Sequence, residues 1–274
     1  MSAPDIRMPV FAGKFYPASA QALKKQIQSF LSPPAAVKQN AIACLLPHAG
    51  YIYSGGVAAQ TVSRINIKDQ LILFGPNHTG YGKNISVMTE GSWQTPLGDV
   101  KIDSDLAREI LQGCPYLEDD NIAHQAEHSL EVELPILQYF KSNFKMVPIV
   151  FSFEEIGVLK TIGQQIAVAI KKNGLKDKVL LVASSDMTHY EPEVRAQKND
   201  RMAIEAILNL DEERLALTVE RFNISMCGVI PTITMLSCAK ALGATRGELV
   251  KYQTSGDVTE DKNSVVGYAG ITIF

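Results

Sequence analysis

The chain is poor in the side chains that usually announce a special environment. Its 274 residues contain four cysteines, one tryptophan and five histidines. Cys44, Cys114, Cys227 and Cys238 form no CxxC pair and are too sparse for a disulfide-built domain, so a reducing, cytoplasmic location is expected. No run approaches the roughly 18 consecutive apolar residues of a membrane span. The stretch 1–11 carries Asp5 and Arg7 and has no apolar centre, so it does not read as a secretory signal, and the three Asn-x-Ser/Thr sequons then carry no argument. An excess of one charge is missing too. Lys+Arg total 26 against 29 Asp+Glu, a formal net charge of -3, which leaves no electrostatic footprint for nucleic acid. GxGxxG, Walker A, GxSxG and HExxH patterns are all absent, which removes the usual signals of dinucleotide binding, P-loop chemistry, nucleophile-elbow hydrolysis and zincin proteolysis.

What remains is a composition that forms a core. Hydrophobic residues make up 46% and charged residues 20%, which excludes disorder and collagen-like architectures. There is no internal repeat. The softest segment, 32–40, reads as a surface connection too early in the chain to separate two domains, so one domain over 1–274 is expected. Apolar runs of strand length occur at 42–46, 71–74, 85–88, 146–150, 179–183 and 264–274. Helical patterns occur at 20–31, 56–65, 104–112, 156–172, 194–210 and 230–242. In 156–172, for example, Leu159, Ile162, Ile166, Ala169 and Ile170 share one stripe. Continuous apolar strands separated by helices predict an α/β fold: a central, mostly parallel mixed sheet with helices on both faces and antiparallel strands at an edge. The segment 93–100 reads as a turn joining extended pieces. Leu130 to Leu134 alternates like a strand, but the apolar stretch through Phe140 favours a helix, with Pro135 kinking it and leaving the Glu131 carbonyl unpaired.

Three histidine-bearing segments follow strand-like runs directly. The run 42–46 leads into Pro47-His48-Ala49-Gly50, 71–74 into Gly75-Pro76-Asn77-His78, and 179–183 into Ser184-Ser185-Asp186-Met187-Thr188-His189. In a parallel sheet these positions share the rim at the carboxyl ends of the strands, where ligands bind. A lone loop histidine is usually structural or merely exposed; three on one rim beside Asp186 favour a functional cluster. Two readings stay open: a metal held by neutral imidazoles, or a metal-free pair in which His189 is a base supported by Asp186. His128 and Glu131 are i, i+3 neighbours on the expected helix, either at a solvated helix start or in a pocket. His124 is assigned to the surface. Cys227 precedes the helical pattern at 230–242, a position that lowers a thiol pKa; its plain alternative is a small buried hydrophobe.

Taken in order, Pro47-His48-Ala49-Gly50-Tyr51, Ser54-Gly55-Gly56, Gly75-Pro76-Asn77-His78, Thr95-Pro96-Leu97, Glu127-His128-Ser129, Ser184-Ser185-Asp186 with His189, and Cys227-Gly228 resemble the motifs of Memo-like proteins. In bacteria and archaea these are called AmmeMemoRadiSam system protein B, and the resemblance covers nearly the whole chain. That family is similar to class III extradiol dioxygenases of the LigB type, which hold non-haem Fe(II) on two histidines and a glutamate. The resemblance implies a LigB-like fold and a metal on His48, His78 and Cys227, with Fe(II) first and Cu or Zn as alternatives. It implies His189 as acid/base, His128 as a substrate-contacting pocket histidine, and Asp186 as support. It also implies radical-SAM and AMMECR-type proteins as functional partners. Cys227 stands where the dioxygenases have a carboxylate. A thiolate keeps the charge but is softer, favouring Fe(II), Zn or Cu(I) over Mg or Ca, and it is oxidisable beside activated oxygen. The expected function is therefore a metal-binding protein, redox-active on an unknown small molecule. Zn-dependent hydrolysis and a non-catalytic peptide or phospho-ligand module are the alternatives.

Overall fold

Apolar strands buried on both sides organise the molecule. The computed structural model describes residues 6–31 and 37–274. The first half of the chain forms β1 (Ile6–Arg7), α1 (Ala20–Ser29), β2 (Ala43–Leu46), α2 (Tyr51–Ser63), β3 (Gln70–Pro76) and β4 (Ile85–Val87). A hairpin of β5 (Ser92–Thr95) and β6 (Gly98–Ile102) follows, then α3 (Ser104–Gly113), β7 (Glu118–Asp119), α4 (Ile122–Gln125) and α5 (Glu133–Phe140). The second half continues with β8 (Lys145–Phe151), α6 (Ile156–Lys172), β9 (Val179–Ser184), β10 (His189–Glu191), α7 (Glu193–Leu208) and α8 (Glu212–Phe222). It closes with α9 (Val229–Leu242), β11 (Gly247–Thr254), α10 (Gly256–Thr259) and β12 (Val265–Ile273).

Among the described residues the main sheet runs β1-β5-β6-β8-β3-β9-β2-β12-β10, with β11 on β12 and β4 on β8 as side branches. Its centre, β8-β3-β9-β2, is parallel throughout, in register Phe74 with Ala183 and Leu45 with Ala183. Every residue of β2 and β9 is buried, as the continuous apolar runs require of strands covered on both faces. Antiparallel pairing is confined to the flanks: β5 with β6, β4 with β8, and β12 with β2, β10 and β11. The α/β class, the mixed sheet and the 93–100 turn are therefore as expected. No helix of the described residues is long and apolar enough to cross a membrane. The connection expected at 32–40 lies partly outside the described residues.

The helices pack as two groups. α9 lies against β9, β3 and β2 with α6 over it; α2 lies against β11 and β12 with α5 beside it. Gly163 of α6 sits so close to α9 that a Cβ there would meet the Thr234 carbonyl at 2.5 Å and the Cys238 amide at 2.9 Å. α8 starts on an Asp211 side chain that accepts from the Arg214 amide and stops at Asn223 in the left-handed region. That stop turns the chain back toward the sheet rim, where Cys227 follows.

Two local expectations change. α2 starts at Tyr51, five residues before the periodic pattern, because Gly50 caps it and the Tyr51 amide bonds the Phe15 carbonyl. α5 starts only at Glu133, so Pro135 falls in its first turn, where no amide is needed, and the Glu131 carbonyl accepts from the Leu134 amide instead of standing unpaired.

Candidate metal centre

Parallel neighbours deliver the site. β3, β9 and β2 lie side by side, and two residues beyond their carboxyl ends stand His78, Asp186 and His48. Adjacent strands are about 4.8 Å apart, so the three loops open on one crevice. The Cys227 loop enters from the α8–α9 turn. Gly228 is pressed onto the end of β9: its amide donates to Ser185 Oγ at 2.9 Å, and a Cβ would collide with the Ser184 carbonyl. Cys227 Sγ thereby lies 3.3 Å from His48 Nε2 and accepts the Asp186 amide at 3.2 Å.

His48, His78 and Cys227 each offer a ligand atom, all within 4.8 Å of one another. Metal–nitrogen and metal–sulfur bonds of about 2.05 and 2.3 Å at a tetrahedral angle put the two donors about 3.6 Å apart. The observed 3.3 Å differs from that by tenths of an ångström. The second nitrogen of each imidazole is already engaged. His78 Nδ1 bonds Glu127 Oε1 at 2.9 Å, and His48 Nδ1 meets Ser184 Oγ at 2.7 Å. Two imidazoles aimed by hydrogen bonds and one sulfur suit a borderline or soft divalent ion, so the residues present fit a metal.

The model for Memo-like protein matches residues 7–272. The chain belongs to the Memo-like family. A MEMO1 family protein of Methanopyrus kandleri is 43% identical over 278 residues, covering 97% of this chain and 98% of its own. One from Aquifex aeolicus is 44% identical over 269 residues, covering 97% and 98%. One from Methanococcoides burtonii is 43% identical over 269 residues, covering 98% and 100%. The crystal structure of an uncharacterized protein from Escherichia coli K12 shares the fold at a TM-score of 0.56 and 13% identity, over 85% of this chain and 99% of that one.

The remaining rim residues of this Memo-like chain take distinct places. Asp186 Oδ1 accepts the His48 amide at 2.9 Å and so pins the β2 loop to the β9 loop. Burial raises its carboxyl to about 6, against the opposing pull of His189 and of the His48 and Ala49 amides. His189 does not lean on Asp186 for its ring bond: Nδ1 faces the Met187 carbonyl at 2.8 Å and the Ser225 carbonyl at 2.9 Å. Two carbonyls require the proton on Nδ1, so Nε2 is the ring nitrogen that they leave free. His128 stacks on His78 with centroids 4.5 Å apart and meets His48 at 5.3 Å, while Phe11 and Phe15 close its other side. Burial holds His128 down to about 4, with Glu127 opposing and His78 assisting. His48 is held well below the ordinary histidine value by burial and by its three histidine neighbours.

Three readings are corrected. The Cys227 thiol is pushed up, not down, because burial of the sulfur and the Asp186 carboxylate outweigh the donated hydrogen bonds; the first amide of the following helix turn, Gly228, is already spent on Ser185. His124 is not a surface residue. It is wholly buried against Trp93, its carbonyl accepts from Arg7 Nε, and burial holds its ring down to about 3. Glu131 turns away from His128, whose ring instead faces Glu127 Oε1 at 3.3 Å. Glu131 accepts Arg7 Nη1 at 2.7 Å, the Phe11 amide at 2.8 Å and Tyr16 Oη at 2.6 Å. Those bonds lash the 7–16 segment over the site and set Phe11 and Phe15 in place.

Residue reasoning missed the group that organises the imidazoles. Glu127 accepts the His78 amide at 2.5 Å, His78 Nδ1 at 2.9 Å and the Ser129 amide at 2.8 Å, and its Oε1 lies 3.3 Å from His128 Nδ1. Burial alone would raise it, but the bond and charge of His78 and the Ser129 amide hold it down to about 2, a carboxylate. Its mark in the sequence is a place beside His128 in the Glu127-His128-Ser129 motif, with no role attached to it. Ser184 stands in the Ser184-Ser185-Asp186 motif with no role attached to it, and Glu133 is unmarked.

Proposed function

We propose that this Memo-like chain is a redox-active metalloprotein that binds iron on His48 Nε2, His78 Nε2 and Cys227 Sγ and acts on a small molecule entering from the rim. The observation that carries this reading is the convergence of three donors from three distant stretches of chain within 4.8 Å. A bound Fe(II) supplies one-electron and oxygen chemistry and Lewis acidity; a thiolate third ligand also suits Zn or Cu(I). The chain's own residues bind, orient and move protons. Asp186 holds the His48 loop, Glu127 orients His78 and His128, and the Phe11–Phe15–His128 wall excludes water from one side. His189 Nε2, with Nδ1 pinned by two carbonyls, is the group that takes or returns the substrate's proton.

The test is metal analysis of protein purified without oxygen, repeated on Cys227→Ser and His48→Ala, with oxygen uptake followed on candidate substrates. About one iron per chain, lost in both variants, is expected. Zinc at full occupancy with product release but no oxygen uptake would redirect the reading to hydrolysis. Absence of bound iron, copper and zinc with all three donors intact would end it.

A further inference from the structure

The surroundings of Ser184 fix more than a position. Its Oγ has three close polar neighbours: His48 Nδ1 at 2.7 Å, the Ser129 carbonyl at 2.7 Å and Glu133 Oε1 at 3.0 Å. A hydroxyl donates one proton and accepts two. The Ser129 carbonyl can only accept, so it takes the Ser184 proton. The other two neighbours must then bring protons of their own, His48 from Nδ1 and Glu133 from Oε1. Any other assignment sets lone pairs against each other at hydrogen-bonding distance in a fully buried spot.

We propose that Ser184, backed by a proton-bearing Glu133, is a positioning residue that locks His48 in its Nδ1–H tautomer and so aims the Nε2 lone pair into the metal centre. The free ring in water prefers the opposite tautomer, which would point an N–H at the cation, so without this lock part of the binding energy goes into moving a proton. Glu133 fits the assigned state independently. It is fully buried, and its Oε2 has no partner among the described residues, which a carboxylic acid tolerates far better than a carboxylate. Burial and the nearby Asp186 both push its pKa well up. The whole relay comes from four separate stretches: the β2 loop, the Ser129 turn, the start of α5 and the end of β9.

The purpose assigned to the lock rests on the proposed metal reading, but the lock itself is tested without metal. Long-range proton–nitrogen correlation spectra of the metal-free full chain, assigned with His48→Ala, should show His48 protonated at Nδ1. Infrared difference spectra of wild type against Glu133→Gln should show a carboxylic acid band that the variant lacks. Ser184→Ala should shift His48 toward the Nε2–H form and weaken Zn(II) and Co(II) binding by about 10- to 100-fold. Glu133→Gln, whose amide N–H can still donate to Ser184, should retain the tautomer, as should Ser184→Thr. A wild-type His48 protonated at Nε2, an ionised Glu133, or an unchanged tautomer in Ser184→Ala would each overturn the proposal. The first two readouts need no destabilising variant. If the tautomer behaves as stated while the wild type binds no metal, the lock stands and the metal reading falls.

Discussion

Glu127→Gln strikes the carboxylate on which both the stability and the chemistry of the site converge. Glu127 Oε2 accepts the His78 amide at 2.5 Å; Oε1 accepts the Ser129 amide and the His78 ring, with His128 Nδ1 3.3 Å away. A glutamine of the same shape must place its NH2 against one of these donors. If it takes the Oε2 position, it opposes the His78 amide. If it takes the Oε1 position, it opposes the Ser129 amide, and His78 can answer only by moving its own proton to Nε2, which removes it as a ligand. Either way a buried amide loses its acceptor, a cost of about 1–3 kcal/mol. Losing the charge also relieves the burial penalty on the carboxylate, so the expected net loss is near the lower end, about 1–2 kcal/mol. With a urea m-value of about 2 kcal/mol/M, the midpoint falls by roughly 0.5–1 M in metal-free protein. Metal affinity falls about 10- to 100-fold, or about 1.4–2.7 kcal/mol, as for other partners of ligating histidines. Urea denaturation with chelator and competition titration with Zn(II) read the two effects separately. A variant within about 0.5 kcal/mol of wild type and of equal affinity would refute the claim that this carboxylate organises the imidazoles.

Other perturbations test other layers. Because the Cys227 thiol is pushed up in the free protein, metal binding must release its proton; apparent affinity should rise about tenfold per pH unit toward alkaline pH, and Cys227→Ser should flatten that slope in the same titration. Glu131→Gln, which breaks the buried pair with Arg7, should cost about 3–5 kcal/mol in urea unfolding. It should also speed hydrogen exchange at the Val10 and Phe11 amides, both bonded to that carboxylate. His124 is held to about 3 when folded and titrates near 6.5 when unfolded. The unfolded chain therefore gains its proton first, and stability present at neutral pH is lost as pH falls below about 6.5, by about 1.4 kcal/mol per pH unit for this one ring. His124→Leu should reduce that slope between pH 6 and pH 4; an identical slope would mean that the ring is already charged in the folded state.

Strand and helix identity follow from periodicity because burial on a sheet or one helical face is a local constraint. The runs at 42–46, 71–74 and 179–183 could be read as buried parallel strands, and the turn residues after them placed His48, His78 and His189 at strand ends. β11 escaped notice because its residues are half exposed along the edge and show no continuous apolar run. The family motifs pointed to His48, His78 and Cys227 as candidate donors, yet motif order says nothing about distance. Only the β3-β9-β2 neighbourhood and the Asn223 turn bring Cys227 to 3.3 Å from His48, across a separation of 179 residues. The burial of His124, the raised Cys227 thiol, the shared carboxylate of Glu127 and the protonated environment of Ser184 were likewise invisible in sequence. Each depends on desolvation and on hydrogen-bond partners contributed by remote segments, and neither quantity exists until the chain has packed.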